Sequence, residues 1–255
     1  MEGPHPPAIE TRALRKVYGD TAALDGVDLT VPAGSFFGFL GPNGAGKTTM
    51  IRLLAGLAPP TGGEIRIFGV ELASDSAELK RQTGLVPEES LLFDQLTGSE
   101  MLEFAGRMYG LGRAVARERA RELLELFELS GAGRKLVADY SKGMRKRLAM
   151  AAALIHRPRL FLLDEPFEGV DAIGARLMKQ LLEEQVRAGA TIFLTSHVLE
   201  VVERLCDRVA VIDRGRLVLE GRMSELAAGS RTLEDVFVQV VGAERPSPAL
   251  RWLRP

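Results

Sequence analysis

Residues 41–49 of this chain read GPNGAGKTT, which fits the phosphate-loop pattern G-x-x-x-x-G-K-[ST]. The loop follows an apolar run at residues 35–40 and precedes a helix-like stretch at residues 49–57. Glycines in such a loop let successive backbone N–H groups point at phosphate oxygens, and the next helix directs its positive end at the same anion. A glycine-rich turn without a ligand is the alternative, but the order of strand, loop and helix favours a nucleotide site.

The side chains of the loop indicate how a nucleotide would be held. The ammonium of Lys47 can reach the β and γ phosphates, and the hydroxyl of Thr48 can ligate Mg²⁺. The backbone of the loop is expected to surround the phosphates. The residues assigned to nucleotide binding here are Gly41, Pro42, Asn43, Gly44, Ala45, Gly46, Lys47, Thr48 and Thr49.

The composition is that of an ordinary globular protein. The 255 residues include 46% hydrophobic and 26% charged residues, and the length suits one large or two small domains. The formal net charge is −1, so no overall basic field attracts nucleic acid or anionic lipid. We therefore expect no nucleic-acid partner.

Cysteine content and hydropathy indicate a cytoplasmic protein. The single cysteine, Cys206, cannot form an internal disulfide, and its apolar setting favours a small buried side chain over a reactive thiol. Residues 1–10 lack the basic and apolar segments of a secretory signal. No run of about 18 apolar residues occurs, so we expect no direct membrane insertion. If the protein works at a membrane, another chain must hold it there.

The alternation of strand-like and helix-like segments predicts an α/β fold with a mainly parallel sheet. Residues 27–31 and 36–40 read as two strands joined by a turn. Residues 64–68 are predicted as the next strand of the nucleotide-binding core, after the helix that follows the phosphate loop. Helical periodicity at residues 98–133 predicts a helical insertion. Later strands are predicted at residues 160–163, 191–194 and 209–212, and later helices at residues 174–187 and 198–205.

A second chemical motif, LFLLDEP at residues 160–166, places two carboxylates just after an apolar strand. Ligands of doubly wound sheets bind at such strand ends. Asp164 is suited to hold Mg²⁺, directly or through water, while Glu165 is suited to orient and deprotonate an attacking water. An Asp-Glu-Pro sequence can also simply end a strand, but its pairing with the phosphate loop favours the catalytic interpretation.

Residues 140–171, YSKGMRKRLAMAAALIHRPRLFLLDEPFEGVD, resemble the signature, Walker B and D-loop block of the ATP-binding cassette (ABC) ATPases. The resemblance covers most of the chain. It implies an ABC ATPase domain at residues 1–242 with a helical subdomain at about 90–157. Residues 243–255 are proline-rich, which predicts a flexible C-terminal tail. The implied fold is that of phosphate-loop NTPases: a RecA-like core with a mainly parallel sheet, an antiparallel β subdomain and a helical insertion.

The resemblance also assigns site residues. Tyr18 matches the aromatic residue that stacks on adenine, and His197 matches the switch histidine that contacts the γ-phosphate. Without the family pattern, Tyr18 would read as a partly exposed strand residue and His197 as a helix cap. Ser141 and Gly143 of the signature would serve a nucleotide bound by a second cassette, which implies a head-to-tail pair of identical or paralogous chains, and Ser141 also suits a helix cap. Asp171 in the D-loop is assigned to the nucleotide as well.

Two positions depart from the family pattern. The usual signature Leu-Ser-Gly-Gly-Gln reads YSKGM at residues 140–144, and Glu88 replaces the usual glutamine of the Q-loop. Lys142 is either a phosphate partner or a solvated charge. The carboxylate of Glu88 can only accept hydrogen bonds, so it would repel a bare phosphate but could hold Mg²⁺ or water. We assign Glu88 to Mg²⁺ together with Thr48 and Asp164. Unless a bound Mg²⁺ compensates for the repulsion between Glu88 and the phosphates, we expect weaker catalysis than with the usual glutamine.

Three features resemble the ATPase subunits of bacterial ABC-2 type exporters more than those of solute importers: the YSKGM signature, the Pro87-Glu88 pair and TLEDVF at residues 232–237. This implies a transmembrane permease partner and a peripheral position at the cytoplasmic face of the cell membrane. In such systems an apolar cleft beside the Q-loop receives a helix of the membrane subunit. Its candidate lining residues, for which ordinary core is the alternative, are Leu91, Leu92, Phe93, Leu96, Met101, Phe104 and Met108.

Rival phosphate-loop classes lack support in the sequence. A GTPase would need an Asn-Lys-x-Asp motif, yet Asn43 is the only asparagine. Cassettes of chromosome maintenance carry a long coiled coil between the phosphate loop and the signature, and those of excision repair carry zinc-binding cysteines. The short spacing between these two motifs here and the single cysteine fit neither class. A soluble regulatory cassette that uses ATP as a switch, and an importer subunit, remain alternatives. The favoured prediction is an ATP-hydrolysing exporter subunit with Lys47, Glu165 and His197 as its catalytic residues.

Overall fold

The computed structural model describes residues 6–73, 76–89, 91–227 and 232–242. Residues 243–255, for which we predict a flexible tail, lie outside the described residues. The strands of the described ranges are β1 (Ile9–Tyr18), β2 (Thr21–Val31), β3 (Phe36–Leu40), β4 (Gly62–Ile67), β5 (Val70–Glu71), β6 (Thr83–Val86), β7 (Leu160–Asp164), β8 (Thr191–Ser196), β9 (Arg208–Asp213) and β10 (Arg216–Arg222). The α-helices there are α1 (Lys47–Leu54), α2 (Ala77–Arg81), α3 (Gly98–Met108), α4 (Arg113–Leu126), α5 (Lys142–Leu154), α6 (Ala172–Arg187), α7 (Leu199–Leu205), α8 (Met223–Leu226) and α9 (Leu233–Val241).

The core is a six-stranded sheet in the order β10-β9-β3-β8-β7-β6. Strands β9, β3, β8, β7 and β6 run parallel, and β10 pairs antiparallel at the edge. Every residue of β3, β7 and β8 is buried, as expected for parallel strands covered on both faces. The carboxyl ends of these strands therefore meet at one edge, where the phosphate loop and the two carboxylates of the LFLLDEP motif emerge.

A second sheet of four strands, in the order β2-β1-β4-β5, is antiparallel. The prediction that residues 64–68 form the next strand of the nucleotide-binding core was wrong in this respect: β4 pairs with β1 and not with the core strands. Its side chains explain the difference. Ile65 and Ile67 are buried while Glu64 and Arg66 are not, and such alternation is typical of an antiparallel strand with one covered face.

The region between β6 and β7 is helical. Helix α3 begins with a capping box in which Thr97 and Glu100 exchange hydrogen bonds, and α5 is capped by Ser141. Helices α3, α4 and α5 contribute to a hydrophobic cluster that continues under β6, β7 and β8. A helical subdomain with limits at about 90 and 157 remains a prediction. Within the described part of the chain, no helix is both long and apolar enough to cross a membrane.

One histidine, His156, is packed at the junction of this helical region and the core sheet. Its ring stacks on Tyr109 with the centroids 3.5 Å apart, and its Nε2 lies 3.2 Å from the carbonyl oxygen of Thr83. Burial is the main cause that lowers the pKa of His156 from its ordinary value of 6.5 to about 4. The neutral ring is therefore the form that fits the folded protein.

The stability of the fold is expected to fall as the pH drops from 6.5 towards 4 because of His156. In that window the unfolded chain takes up a proton at this residue and the folded protein does not. At pH 5 we expect the contribution to be about 1–2 kcal/mol, allowing for partial solvent screening. Urea unfolding of wild type and His156→Gln at pH 7.5 and pH 5 measures it. A difference between the two proteins that does not change with pH would contradict the assignment.

Candidate active site

The phosphate loop joins the end of β3 to the start of α1, which begins at Lys47, two residues earlier than predicted. Gly46 has a φ of 115°, and a Cβ atom there would lie 2.5 Å from the carbonyl oxygen of Ala23. Only glycine fits this position, for both conformation and space. The side chain of Lys47 is buried, and its Nζ donates a hydrogen bond of 2.8 Å to the carbonyl of Gly41. The Lys47 ammonium is thus held against the backbone at the start of the phosphate loop.

The two carboxylates at the end of β7 are anchored to the neighbouring strand β8. Asp164 is buried and accepts a hydrogen bond from the hydroxyl of Thr195. The backbone N–H of Glu165 donates to the carbonyl of Thr195 at 3.2 Å, and Glu165 has a φ of 46°. Sequence analysis did not identify Thr195, because its partner is 31 residues away and no local pattern marks it.

Glu165 and His197 form a pair at the same edge of the sheet. Oε1 of Glu165 lies 3.0 Å from Nδ1 of His197. Burial raises the pKa of the Glu165 carboxyl, while the hydrogen bond and charge of His197 act in the opposite direction. A carboxylate with a raised pKa is a stronger base when it is ionised, so this environment suits proton abstraction from water.

These groups converge on a pocket of about 510 Å³. The pocket brings together the phosphate loop, the Q-loop glutamate, both carboxylates of the LFLLDEP motif and the predicted switch histidine. It also contains Ala23 and Glu168, which sequence analysis did not assign. The lining residues are Ala23, Asn43, Gly44, Gly46, Lys47, Thr48, Thr49, Glu88, Asp164, Glu165, Glu168 and His197.

The oxygen donors at one side of the pocket fit a magnesium ion. The hydroxyl of Thr48 lies 3.4 Å from a carboxylate oxygen of Glu88, and Asp164 lines the same pocket. Hydroxyl and carboxylate oxygens are the ligands that Mg²⁺ prefers, usually together with substrate phosphates. In the ranges that the structure describes, no group of three or more His, Cys, Asp or Glu side chains is placed to hold a metal alone. Nucleotide oxygens would therefore have to complete the ligand set.

Seven predicted site residues do not line this pocket. Three of them, Gly41, Pro42 and Ala45, belong to the phosphate loop itself, and the other four lie on other segments of the chain. Tyr18 ends β1 with 47% of its surface exposed, and the ammonium of Lys16 lies 5.0 Å from its ring centroid. Ser141 caps α5 by accepting from the N–H of Met144 at 3.3 Å. The other two positions are at Gly143 and Asp171.

The signature segment and the D-loop contact each other. A Cβ atom on Gly143 would lie 2.9 Å from the carbonyl of Gly169, so the two backbones approach closely there. Asp171 caps α6 by accepting from the N–H of Gly174 at 2.8 Å. Lys142, the unusual signature residue, forms an ion pair of 2.7 Å with Glu168, which lines the nucleotide pocket.

Seven apolar residues after the Q-loop were predicted either to line a cleft or to belong to the core, and the structure divides them between the core and the surface. Met101 is buried in the core, and Leu92 and Leu96 pack against it, so the core interpretation is correct for these three. The other four are exposed on the surface, where Phe93 and Phe104 meet edge to face with centroids 5.2 Å apart. We call these four the apolar patch: Leu91, Phe93, Phe104 and Met108.

A phosphate loop at the end of a central parallel strand, beside a carboxylate pair on a neighbouring strand, defines a nucleoside triphosphatase of the phosphate-loop class. The family model described as ABC transporter matches residues 24–168. The chain belongs to the ABC transporter family.

Relatives of known name agree with this assignment. The daunorubicin/doxorubicin resistance ATP-binding protein DrrA of Streptomyces peucetius is 44% identical over 228 residues, covering 89% of this chain and 69% of the relative. The Nod factor export ATP-binding protein I of Cupriavidus pinatubonensis is 41% identical over 218 residues, covering 86% of this chain and 67% of the relative. The predicted resemblance to ABC-2 type exporter ATPases is confirmed.

Solved structures agree as well. An ATP-binding subunit of an ABC transporter has a TM-score of 0.85 at 31% identity, covering 91% of this chain and 99% of that chain. An ATP-binding cassette solved as a dimer in a post-hydrolysis state with ADP and Pi has a TM-score of 0.79 at 26% identity, covering 84% and 98%. The predicted phosphate-loop NTPase fold is confirmed, and the chain is an ATP-binding and ATP-hydrolysing subunit of an ABC transporter.

Proposed function

We propose that this chain powers export through a transmembrane permease at the cytoplasmic face of the cell membrane. The observation that carries the proposal is the assembled pocket, in which the phosphate loop, the Glu165–His197 pair and three magnesium-type oxygen donors face one volume. The direction of transport is supported by relatives whose names refer to drug resistance and Nod factor export. The transported compound would pass through the permease, so its identity does not depend on this pocket.

The residues of the pocket, and Tyr18 outside it, have distinct roles in the proposed reaction. Lys47 and the loop amides bind the β and γ phosphates of ATP, while the exposed ring of Tyr18 stacks on the adenine. Glu165 orients a water molecule and accepts its proton as the water attacks the γ-phosphorus. The bond from that phosphorus to the oxygen that bridges it to the β-phosphate breaks, and ADP leaves with the electron pair. His197 contacts the γ-phosphate and holds the Glu165 carboxylate in place. Position and fixed charge supply most of the rate enhancement, because phosphoryl transfer needs little covalent help.

Thr48, Glu88 and Asp164 would hold Mg²⁺ in this site. When bound, the ion neutralises charge that develops on the phosphate oxygens. Asp164 is held for this role by the hydroxyl of Thr195. Glu88 replaces a neutral glutamine of the family pattern, and its charge adds to the attraction for a divalent cation.

Ser141, Gly143 and Asp171 are proposed to contact the nucleotide of a second cassette. All three lie at or beside the N-terminal ends of helices α5 and α6, outside the chain's own pocket. A helix N-terminus presents unpaired N–H groups that suit a phosphate. With ATP present, donors of both chains share the γ-phosphate charge, and its loss after hydrolysis removes contacts that favour the closed pair.

The apolar patch is proposed to receive the permease. Leu91 and Met108 are 74% and 68% exposed, and a cluster of exposed apolar side chains is typical of a protein contact. The patch follows the Q-loop in sequence. A permease seated on it would therefore act close to Glu88, a residue of the nucleotide pocket.

We expect Met108→Glu to reduce recovery of the protein on washed membranes by at least about tenfold, because it places a charge in the proposed contact. Quantitative immunoblotting after co-expression with the native companions measures this. Val238→Glu is the matched control, since Val238 is similarly exposed but lies on α9. A wild-type protein that washes off completely would favour a soluble regulatory cassette instead.

A further inference from the structure

Lys146 on helix α5 is a buried lysine that the proposed mechanism leaves without a role. Only 2% of the residue is exposed. Its Nζ donates hydrogen bonds to three backbone carbonyls: Pro87 at 3.1 Å, Glu88 at 2.8 Å and Asp164 at 3.4 Å. An ammonium group has three N–H donors, so these three carbonyls can satisfy all of them.

Burying this cation lowers the pKa of Lys146, and the charges of Asp164, Glu168 and Glu88 offset only part of that effect. Transfer of a charge from water into a protein interior is unfavourable unless the charge is paired or fully hydrogen-bonded. Among the ion pairs of the described residues, none includes Lys146. The three carbonyls are therefore its only direct partners among the described residues, and the contact depends strongly on their positions.

The three carbonyls belong to the two segments that carry proposed magnesium ligands. Val86 is the last residue of β6 paired with β7, opposite Leu163, so Glu88 lies beyond the end of the sheet ladder. Asp164 ends β7. Lys146 thus attaches the Q-loop backbone to the strand that carries Asp164, at a point where sheet hydrogen bonds no longer do so.

We propose that Lys146 is a positioning residue for ATP hydrolysis, which fixes the separation of the Glu88 and Asp164 carboxylates and thereby sets the affinity of the site for Mg²⁺. The inference rests on the proposed assignment of these two carboxylates to the ion. Lys146 touches neither nucleotide nor water in this role, because it is buried and does not line the nucleotide pocket. Groups that orient metal ligands typically change metal affinity by about 10-fold to 100-fold when they are removed.

The proposal predicts a selective loss of metal affinity in Lys146→Met, which keeps the length and apolar stem of the side chain but has no donors. Binding of Mn²⁺ to the ADP complex, followed by electron paramagnetic resonance, is expected to weaken by about tenfold. The Mg²⁺ concentration for half-maximal ATPase activity should rise by a similar factor. Affinity for ADP in the presence of EDTA should stay unchanged, because Lys146 does not reach the phosphate loop.

Rescue and control variants distinguish positioning from simple loss of structure. Lys146→Gln retains an amide that can donate to two carbonyls, so it should recover part of the Mn²⁺ affinity. Lys135→Met removes an exposed lysine and should leave all readouts unchanged. If Lys146→Met does not fold, the Mn²⁺ affinity of Lys146→Gln decides, with a loss of about threefold or more expected because one donor is missing.

Glu88→Gln separates failure of this inference from failure of the metal assignment. If Glu88→Gln weakens Mn²⁺ binding while both Lys146 variants bind Mn²⁺ normally, the positioning role is wrong and the metal assignment stands. If Glu88→Gln and Asp164→Asn both bind Mn²⁺ as wild type does, the metal assignment fails and the inference falls with it. A Lys146→Met protein that loses turnover at every Mg²⁺ concentration, with normal Mn²⁺ affinity, would also overturn the positioning role.

Discussion

The Glu165→Gln protein is expected to bind ATP with Mg²⁺ and to hydrolyse it about a thousand times more slowly than wild type. A positioned general base contributes about 10²-fold to 10⁴-fold, and a glutamine amide cannot accept the proton of the attacking water. The substitution preserves size and retains a polar group beside Nδ1 of His197. Nucleotide binding depends on the phosphate loop and should therefore persist.

Single-turnover hydrolysis and light scattering test this expectation together. Because ATP is retained, the Glu165→Gln protein should accumulate as a closed dimer in the presence of ATP and Mg²⁺. Glu168→Gln is the matched control, since Glu168 lines the same pocket but forms its ion pair with Lys142 and not with His197. A Glu165→Gln protein that stays monomeric with bound ATP would refute the proposed contact of signature residues with a second chain's nucleotide. If Glu165→Gln hydrolyses ATP at the wild-type rate, Glu165 is not the general base.

Replacement of Lys47 by alanine is expected to weaken ATP binding by about 100-fold, with a matching loss of turnover. The lysine supplies the only buried side-chain cation among the residues that line the described pocket, and a charged hydrogen bond is worth about 1.5–3 kcal/mol. The substitution also leaves the carbonyl of Gly41 without the 2.8 Å donor that it has in wild type. The loop should thus lose both charge and rigidity.

Fluorescence titration with a labelled ATP analogue measures the change, and Lys135→Ala serves as a control because Lys135 is exposed away from the pocket. Lys47→Arg provides a second comparison. It retains the charge but has a larger, planar head group at a buried position, so it tests whether charge alone is sufficient. If Lys47→Ala binds the analogue as tightly as wild type, the phosphate loop is not the main anion site.

The local parts of the site were predictable because their chemistry lies within one short segment. The phosphate loop needs glycine where a Cβ atom does not fit, as at Gly46, and a cation and a hydroxyl at the start of a helix. Asp164 and Glu165 follow an unbroken apolar strand, which predicts their place at the edge of the core sheet. Each of these signals can be read without knowing the neighbours in space.

The remaining parts depend on contacts between distant segments. Thr195 and Lys146 act on Asp164 from 31 and 18 residues away, and neither lies in a pattern that predicts such a contact. The strand β4 was placed in the wrong sheet because strand order alone does not state which strands pair. The roles of Tyr18, Ser141 and Gly143 came from the family resemblance, since none of the three lines the described nucleotide pocket.

The backbone at Glu165 has a consequence for how this enzyme would respond to selection for heat resistance. A residue other than glycine at a φ of 46° costs of order 1 kcal/mol or more. Burial raises the pKa of the Glu165 carboxyl, and this opposes folding at every pH above the ordinary carboxyl pKa of 4.5. Substitutions of Glu165 that relieve either effect would raise the free energy of unfolding, but they would also remove the proposed general base. Variants chosen only for survival at high temperature should therefore include inactive proteins altered at this one codon, and a screen for thermostability needs an activity filter to avoid them.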